Sequence, residues 1–84
     1  MNTTQAKLKT TKIEAGRYVV SVNGVPCFDL DLSLDDGYRR WVIRSMDRSC
    51  YWSTTEKTKR DCIEWIWMMI NYHGVDHVLA NYSN

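Results

Sequence analysis

The sequence has 84 residues, of which 44% are hydrophobic and 25% charged, and 11 basic against 10 acidic side chains leave a formal net charge of +1. A chain of this length suffices for one domain. Near-neutral charge excludes an acidic mimic of DNA and a strongly basic nucleic-acid coat protein, because both need a large field of one sign. The longest apolar run covers residues 65 to 70, far short of the roughly 20 residues that cross a bilayer, and no apolar signal segment opens the chain. We therefore expect a cytoplasmic protein that does not engage a membrane.

The first segment, residues 1 to 12, is polar and contains four threonines and three lysines. Such a segment buries too little apolar surface to offset the entropy that is lost on ordering, so it is predicted to be a flexible N-terminal arm. Residues 13 to 84 are predicted to form a single domain. Within it, residues 13 to 23 alternate between apolar and polar side chains with the period of two that indicates a strand.

Asn23-Gly24 predicts a β-hairpin after this strand. A two-residue type I′ loop would place Tyr18 opposite Asp29 and bring a carboxylate onto the apolar face. A three-residue loop that ends with Gly24 in a G1 bulge places Tyr18 opposite Phe28 and keeps that face apolar. Because a slip of one residue moves every side chain to the wrong face, the three-residue loop is the predicted one.

Further strands are predicted from alternation and from turn residues. The second strand covers residues 26 to 32. The third strand covers residues 38 to 46 and follows a turn at residues 35 to 37. Beyond a turn at residues 47 to 49, residues 50 to 52 form either a short fourth strand or the end of a strand.

Arg40 and Arg44 of the third strand are expected on the same face as Asp29 and Asp31 of the second strand. Opposite charges on neighbouring strands stabilise a sheet by roughly 0.2 to 1 kcal/mol per pair. Two aspartates side by side could instead act as a catalytic dyad, but the nearby arginines favour ion pairs. Since the sequence also lacks a glycine-rich phosphate loop, a GxSxG motif and an HExxH motif, we expect no catalytic residue and no enzymatic activity.

Residues 53 to 56, Ser-Thr-Thr-Glu, fit the capping box that begins many helices. The chain is therefore predicted to be helical from residue 54 to residue 72 or 73, and Gly74 is placed to end the helix in the left-handed conformation. Residues 75 to 82 are expected to add a helical tail that is stable only when it is packed. The predicted fold is α+β, an antiparallel β-meander of three to four strands packed against one long C-terminal α-helix, with a short helical tail.

The three cysteines, Cys27, Cys50 and Cys62, are an odd number, and their spacing fits neither a secreted disulfide framework nor a CxxC motif. We therefore expect free thiols in a reducing compartment. His73 and His77 are four residues apart, but the glycine between them is expected to end the helix that would bring them to one face. No metal and no cofactor are predicted.

The predicted long helix is apolar around more of its circumference than packing on one sheet requires. At about 100° per residue its apolar arc is about 220° wide, whereas little more than about 100° suffices. Either the C-terminal tail folds over the surplus or a second chain covers it, and aromatic and Met side chains favour a second chain. The predicted apolar contact residues are Trp65, Trp67, Met68 and Tyr72.

The small net charge conceals an uneven distribution, because residues 38 to 60 carry seven basic and two acidic side chains. The candidate contact residues for an acidic partner or for phosphate groups are Arg39, Arg40, Arg44, Arg48, Lys57, Lys59 and Arg60. If Trp41 and Trp52 shared a sheet face with the first three arginines, that face would suit single-stranded nucleic acid. The opposite interpretation, which we prefer, has Trp41 in the core and Arg40 and Arg44 neutralised by Asp29 and Asp31.

The size and order of the elements over residues 13 to 73 resemble the small β-meander-plus-helix proteins that bacteriophages and other mobile elements encode to inhibit host or defence proteins, anti-CRISPR proteins among them. The resemblance is one of layout and includes no diagnostic motif, so it assigns no functional residue. It implies a non-enzymatic protein-binding module that occludes a host or defence protein. We expect such a module, self-associating as a homodimer, and the alternative is a nucleic-acid-binding domain.

Overall fold

The structure is a computed structural model, and it describes residues 6–34, 37 and 39–82. In chain order, the elements are β1 (Leu8–Glu14), β2 (Arg17–Val22), β3 (Val25–Ser33), β4 (Arg40–Arg44), β5 (Tyr51–Glu56), α1 (Lys59–His73) and α2 (Val75–Tyr82). Within these ranges the five strands form one antiparallel sheet in the order β1-β2-β3-β4-β5. The predicted α+β class is confirmed, although the number of strands and of helices differs in detail.

The additional strand is β1, whose residues 8 to 12 were expected to belong to a flexible arm and whose residues 13 and 14 were expected to begin the first strand. β1 pairs along its length with β2, and Leu8 lies opposite Val22. Asn23 anchors the start of this pairing, since its N–H donates to the Lys7 carbonyl (2.9 Å) and its Oδ1 accepts from the Lys7 N–H (2.8 Å). The entropy estimate from composition left out the backbone hydrogen bonds that the free edge of β2 offers. Threonine and lysine suit an exposed edge strand.

The loop between β2 and β3 has two residues, so the predicted three-residue loop is wrong. Asn23 and Gly24 have φ values of 51° and 85°, as a type I′ turn requires, and Val22 pairs with Val25. A bulge nevertheless occurs in this hairpin, three residues beyond the turn. It restores the apolar face that the two-residue loop alone would have broken.

This bulge lies at Cys27 of β3. Ser21 pairs with Pro26, the next pair is Val20 with Phe28, and Cys27 is the extra residue between them. Proline has no N–H for the ladder, which makes its neighbourhood a favourable place for an interruption. Tyr18 consequently pairs with Leu30, neither with Phe28 nor with Asp29.

The register of β3 with β4 places the charged residues as expected. Asp29 pairs with Arg44, and Arg40 lies on the same side of the sheet. β4 is shorter than the predicted third strand. The predicted turn at residues 35 to 37 falls in part outside the described residues, as does Tyr38. The predicted fourth strand is present and continues to Glu56.

Helix α1 begins later than predicted, because Thr58 is its N-terminal cap. The Thr58 Oγ1 accepts from the Asp61 N–H (3.0 Å), and the Asp61 carboxylate accepts from the Thr58 N–H (3.2 Å), which together form a capping box. The predicted box at residues 53 to 56 is wrong. Those residues belong to β5, where the Ser53 hydroxyl donates to the Glu56 carboxylate (2.6 Å).

The predicted end of α1 is confirmed. The helix ends at His73, and the Gly74 N–H donates to the Ile70 carbonyl (2.8 Å). Gly74 has a positive φ of 88° with ψ at 155°, a conformation that suits glycine but lies outside the left-handed helical region. The predicted tail is also confirmed as α2, with Val75 and Val78 buried.

The core lies between one face of the sheet and the two helices. Fully or nearly buried side chains come from every layer, and they include Val20, Val22, Phe28, Leu30, Ile43, Cys62, Ile66, Ile70 and Val78. Burying each of the larger side chains stabilises the fold by roughly 1.5 to 3 kcal/mol. We call the side of the sheet that faces away from the helices the outer face.

Candidate functional site

The most exposed apolar side chains of the helices form one stripe along α1, together with two polar side chains. The residues of this stripe are three and four positions apart, so they lie on one face of the helix, and they line a shallow depression of about 490 Å³. The apolar residues are Trp67, Met68 and Tyr72, and the polar ones are Glu64 and Asn71. We call this surface the α1 patch.

The exposure of the α1 patch is high for side chains of this type. Trp67 is 37% exposed, Met68 45% and Tyr72 77%. The opposite side of the same helix is in the core, where Cys62 and Ile66 are fully buried. The α1 patch is therefore apolar surface that the packing of α1 on the sheet does not cover.

Trp65 differs from the other three predicted apolar contact residues, because it packs toward the core. Its ring meets Phe28 edge to face at 6.0 Å and Tyr82 of α2 at 6.5 Å. Tyr82 also contacts Trp52, at 4.7 Å between ring centroids. The tail thus covers the Trp65 flank of α1, while the flank with Trp67, Met68 and Tyr72 is left open. Of the two explanations for the wide apolar arc, the folded-back tail accounts for the Trp65 flank, and cover by a second chain stays a prediction for the open flank.

The α1 patch has a polar border. Glu64 lies 3.5 Å from Arg60, an exposed pair of the kind that contributes roughly 0 to 1 kcal/mol. A second depression of about 350 Å³ adjoins the patch, where three carboxylates surround an apolar floor. Its residues are Glu56, Asp61, Glu64, Trp65 and Met68.

A cluster of ion pairs occupies the outer face, and it contains several of the predicted basic contact residues. Arg48 donates to Asp29 (3.1 Å) and to Asp31 (2.7 Å), and the Arg44 Nε lies 3.3 Å from Asp31. Asp29 is fully buried and also accepts from Arg17 (2.9 Å). The hydrogen bond to Asp29 raises the pKa of Arg17, and the bond to Asp31 raises the pKa of Arg48.

The sequence predicted that Asp29 and Asp31 neutralise both Arg40 and Arg44. The prediction is confirmed for Arg44 but is wrong for Arg40, which pairs with neither aspartate, and it missed Arg17 and the role of Arg48. The strand alternation did place Arg17 on the face opposite the core, so the signal for its partner was present. Arg48 reaches the cluster from the turn after β4, in a left-handed conformation with φ at 64°. Nothing in the local sequence indicates that a turn residue would reach back across β4 to β3.

The remaining basic contact residues are spread over different parts of the fold. The Lys59 ammonium lies 3.9 Å above the Tyr18 ring, a cation–π contact that holds the start of α1 on the sheet. Arg39 and Lys57 are exposed, and neither forms an ion pair within the described residues. The seven basic residues therefore do not form one continuous surface.

The geometry also separates the residues that a nucleic-acid platform would combine. Trp41 is 9% exposed and belongs to the core cluster, and Trp52 packs against Tyr82 on the same side. Arg40 and Arg44 lie on the outer face. The two tryptophan rings thus lie on the opposite side of the sheet from these guanidinium groups.

The turn between β4 and β5 contains a strongly hydrogen-bonded carboxylate. The hydroxyls of Ser49 and Ser45, each 2.7 Å from the Asp47 Oδ1, lower the pKa of Asp47 to about 2. The Ser49 N–H donates to the same oxygen (2.9 Å). These bonds give the turn its fixed shape, and with it the position from which Arg48 meets the ion cluster.

The cysteines are free thiols in the structure. Burial raises the pKa of Cys27 and raises that of Cys62 to about 12, while Cys50 is exposed. His73 and His77 stack at 4.7 Å between ring centroids, so the glycine between them does not keep them apart as expected. In the part of the chain that the structure describes, no three His, Cys, Asp or Glu side chains form a group that could hold a metal ion.

Comparison of the chain with known protein families, with curated proteins and with solved structures finds no match. Neither of the helices described here combines the length and the apolar character that crossing a membrane requires. The functional assignment therefore depends on the geometry of the chain's own residues.

Proposed function

We propose that the protein is a non-enzymatic protein-binding module that self-associates as a homodimer through the α1 patch. The observation that carries this proposal is the alignment of Trp67, Met68 and Tyr72 on one exposed helix face. Aromatic and Met side chains are enriched in interface cores, and contiguous exposed apolar surface usually marks a contact site. The other large apolar side chains that are exposed among the described residues lie on the sheet and its loops, namely Ile13, Val25, Leu34 and Tyr51.

The size of the α1 patch predicts a weak dimer. With roughly 200 Å² for a large side chain, the exposed fractions of the three apolar residues correspond to about 300 Å² of apolar surface per protomer. An interface built around this area falls in the class below about 1,200 Å², which is typical of transient complexes. Association is therefore expected at micromolar concentrations or above.

An antiparallel arrangement about a two-fold axis at Met68 suits the pattern of the α1 patch. In this register, Glu64 of each protomer lies opposite Tyr72 of the other, because their residue numbers are equally distant from 68. The Tyr72 hydroxyl would donate to the Glu64 carboxylate, which would give the single ionised group of the patch a second partner besides Arg60. A two-fold interface needs such self-complementarity, and this stripe provides it.

The same surface on a dissociated protomer could cover a site on another protein. Binding by occlusion is the role that the resemblance to phage-encoded inhibitors implies, and no finding tests that resemblance, so it stays a prediction. Trp67 and Tyr72 would be the aromatic anchors, which are the residue types that dominate binding energy at interfaces. Exposed Arg39 and Lys57 would steer an acidic partner toward the protein.

Disulfide trapping tests the proposed dimer directly. Met68→Cys, made in a Cys50→Ser background, is expected to cross-link to itself under mild oxidation, since the two-fold axis brings the two thiols within bonding distance. Ala80→Cys in the same background is the matched control, on an exposed position of α2 away from the patch. Faster dimer formation by the Met68 variant supports the proposal. Equal rates for the two variants would overturn it.

A further inference from the structure

A different concave surface lies on the outer face, on the opposite side of the sheet from the α1 patch and its neighbouring depression. It is a half-enclosed depression of about 200 Å³ between β3, β4 and β5. Its lining combines two guanidinium groups, three hydroxyl groups and one apolar side chain. The lining residues are Ser33, Arg40, Val42, Arg44, Tyr51 and Thr54.

The strand register assembles this lining. Arg40 and Arg44 are four residues apart on β4 and therefore point to the same face, with Val42 between them as the floor. Ser33 of β3 lies directly opposite Arg40, and Tyr51 of β5 lies directly opposite Arg44. Two guanidinium groups thus border the depression from opposite ends of β4.

Arg44 is held in place before any ligand binds. Its guanidinium lies 4.7 Å from the centroid of the Tyr51 ring, and its Nε lies 3.3 Å from the Asp31 carboxylate. The side chain is only 22% exposed. Because an ordered guanidinium loses little conformational freedom on binding, this arrangement favours recognition of an anion.

The donors of the depression are largely unused within the chain. Among residues 6–34, 37 and 39–82, Arg40 forms no ion pair, and the hydroxyls of Ser33, Thr54 and Tyr51 form no hydrogen bond. Among the described residues, no carboxylate lines the depression. Its polar groups can therefore all face a ligand that is rich in hydrogen-bond acceptors.

The charge of the outer face is also unbalanced at this point. Four arginines and Lys9 of β1 lie on that face with three acidic side chains, so basic groups outnumber acidic groups there among the described residues. Arg17, Arg44 and Arg48 each contact a carboxylate, with Glu14, Asp29 and Asp31 as the partners. Arg40, on the border of the depression, is therefore the arginine of this face that has no carboxylate partner among the described residues.

We propose that this depression binds the phosphate group of a small phosphomonoester. Arg40 and Arg44 would each donate to the phosphate oxygens, and the Ser33 and Thr54 hydroxyls would complete its shell. A phosphate dianion offers three acceptor oxygens and up to two charges to donors on two sides, whereas a carboxylate offers two oxygens and one charge. The volume equals that of about seven water molecules, enough for a phosphate group and a short part of its substituent.

The first test is titration with inorganic phosphate at constant ionic strength, followed by amide chemical shifts. Saturable shifts are expected at Ser33, Val42 and Tyr51. Arg40→Gln should weaken binding by about tenfold or more, the loss expected when a charge-assisted hydrogen bond to the ligand is removed. Arg39→Gln is the matched control, because it removes the same charge from an exposed neighbour that does not line the depression, and it should leave binding unchanged.

Two results would overturn the proposal. One is the absence of saturable shifts, and the other is an equal loss of affinity in both variants, which would indicate attraction to diffuse positive charge. A second arm compares phosphoserine with a short oligothymidylate of internal phosphodiesters. Phosphoserine is expected to bind at least as well as phosphate, whereas binding of the oligonucleotide alone would contradict a phosphomonoester site and indicate a nucleic-acid surface. None of these outcomes affects the α1 patch, which lies across the sheet.

Discussion

Replacing Asp29 by asparagine is expected to destabilise the protein strongly, because its carboxylate is the buried centre of the outer-face ion cluster. Asp29 is fully buried and accepts hydrogen bonds from Arg17 (2.9 Å) and Arg48 (3.1 Å). Asparagine has nearly the same size, so the substitution removes the charge without creating a cavity. It leaves two guanidinium groups without the carboxylate that balances them.

The expected loss of stability depends on the contacts that each guanidinium group keeps after the substitution. Removing one partner of a fully buried ion pair typically costs about 3 to 5 kcal/mol. Here the Arg17 and Arg48 side chains are 31% and 36% exposed, so water can reach both. Arg48 also keeps its 2.7 Å contact with Asp31. We therefore expect a loss of about 2 to 3 kcal/mol, a substantial part of the roughly 4 to 13 kcal/mol that a chain of this size has.

Urea denaturation, followed by tryptophan fluorescence, measures this loss. The midpoint should fall while the dependence on urea concentration stays the same, and the Tm should fall by roughly 10 to 20 °C. Asp76→Asn makes the same chemical change at an exposed position of α2, where we expect less than about 1 kcal/mol. If Asp29→Asn is no more destabilising than Asp76→Asn, the cluster is not the stabilising centre that its geometry indicates.

Three further predictions concern the helix cap, the thiols and the turn. Thr58→Ala should lower the free energy of unfolding by about 1 kcal/mol in urea, because it removes the cap of α1, and no change would place the helix start elsewhere. In the folded protein a thiol reagent should modify Cys50 alone, since Cys27 and Cys62 are buried with raised pKa values, and a second fast thiol would contradict that burial. Because hydrogen bonds lower the pKa of Asp47 to about 2, its stabilisation is complete above the unfolded pKa of about 4 and is lost as the pH falls toward 2. Asp47→Asn should therefore make the free energy of unfolding depend less on pH between about 4 and 2. The same dependence in the variant and the wild type would contradict a role of Asp47 in acid stability.

The hairpin shows how far local patterns determine the fold. The requirement that one face of the hairpin be apolar was correct. It excluded a two-residue loop followed by regular pairing, because that pairing would place Asp29 opposite Tyr18. What the pattern did not indicate was where the extra residue would go. A bulge at Gly24 and a bulge at Cys27 would both keep this face apolar. The missing N–H of Pro26 favours the bulge at Cys27.

The start of α1 was missed because two capping boxes follow each other in the sequence. Residues 53 to 56 and residues 58 to 61 both fit the motif, and only the pairing of β5 with β4 decides between them. That pairing occupies the backbone of the first candidate, so the helix begins at the second. The edge strand β1 was missed for a related reason, since the backbone hydrogen bonds that order it depend on a neighbour that is distant in sequence.

Helical periodicity placed Trp67, Met68 and Tyr72 on the apolar arc of α1 but could not indicate which part of that arc the C-terminal tail covers. Trp65 belongs to the covered flank only because Tyr82 folds over it, and that contact comes from a different helix. The depression on the outer face could not be located from the sequence in detail. It depends on which residues of β3 and β5 lie opposite Arg40 and Arg44, and irregularities in the pairing of β4 with β5 shift the register of β5.

Sedimentation over a wide range of concentration tests the central claim, self-association through the α1 patch, most directly. The wild-type protein should pass from monomer to dimer as its concentration rises into and beyond the micromolar range. Met68→Lys should remain monomeric throughout, because it places a charge on the proposed two-fold axis, whereas Ala80→Lys on α2 should associate like the wild type. A wild-type protein that stays monomeric at every concentration, or a Met68→Lys variant that dimerises as well as the wild type, would contradict the claim.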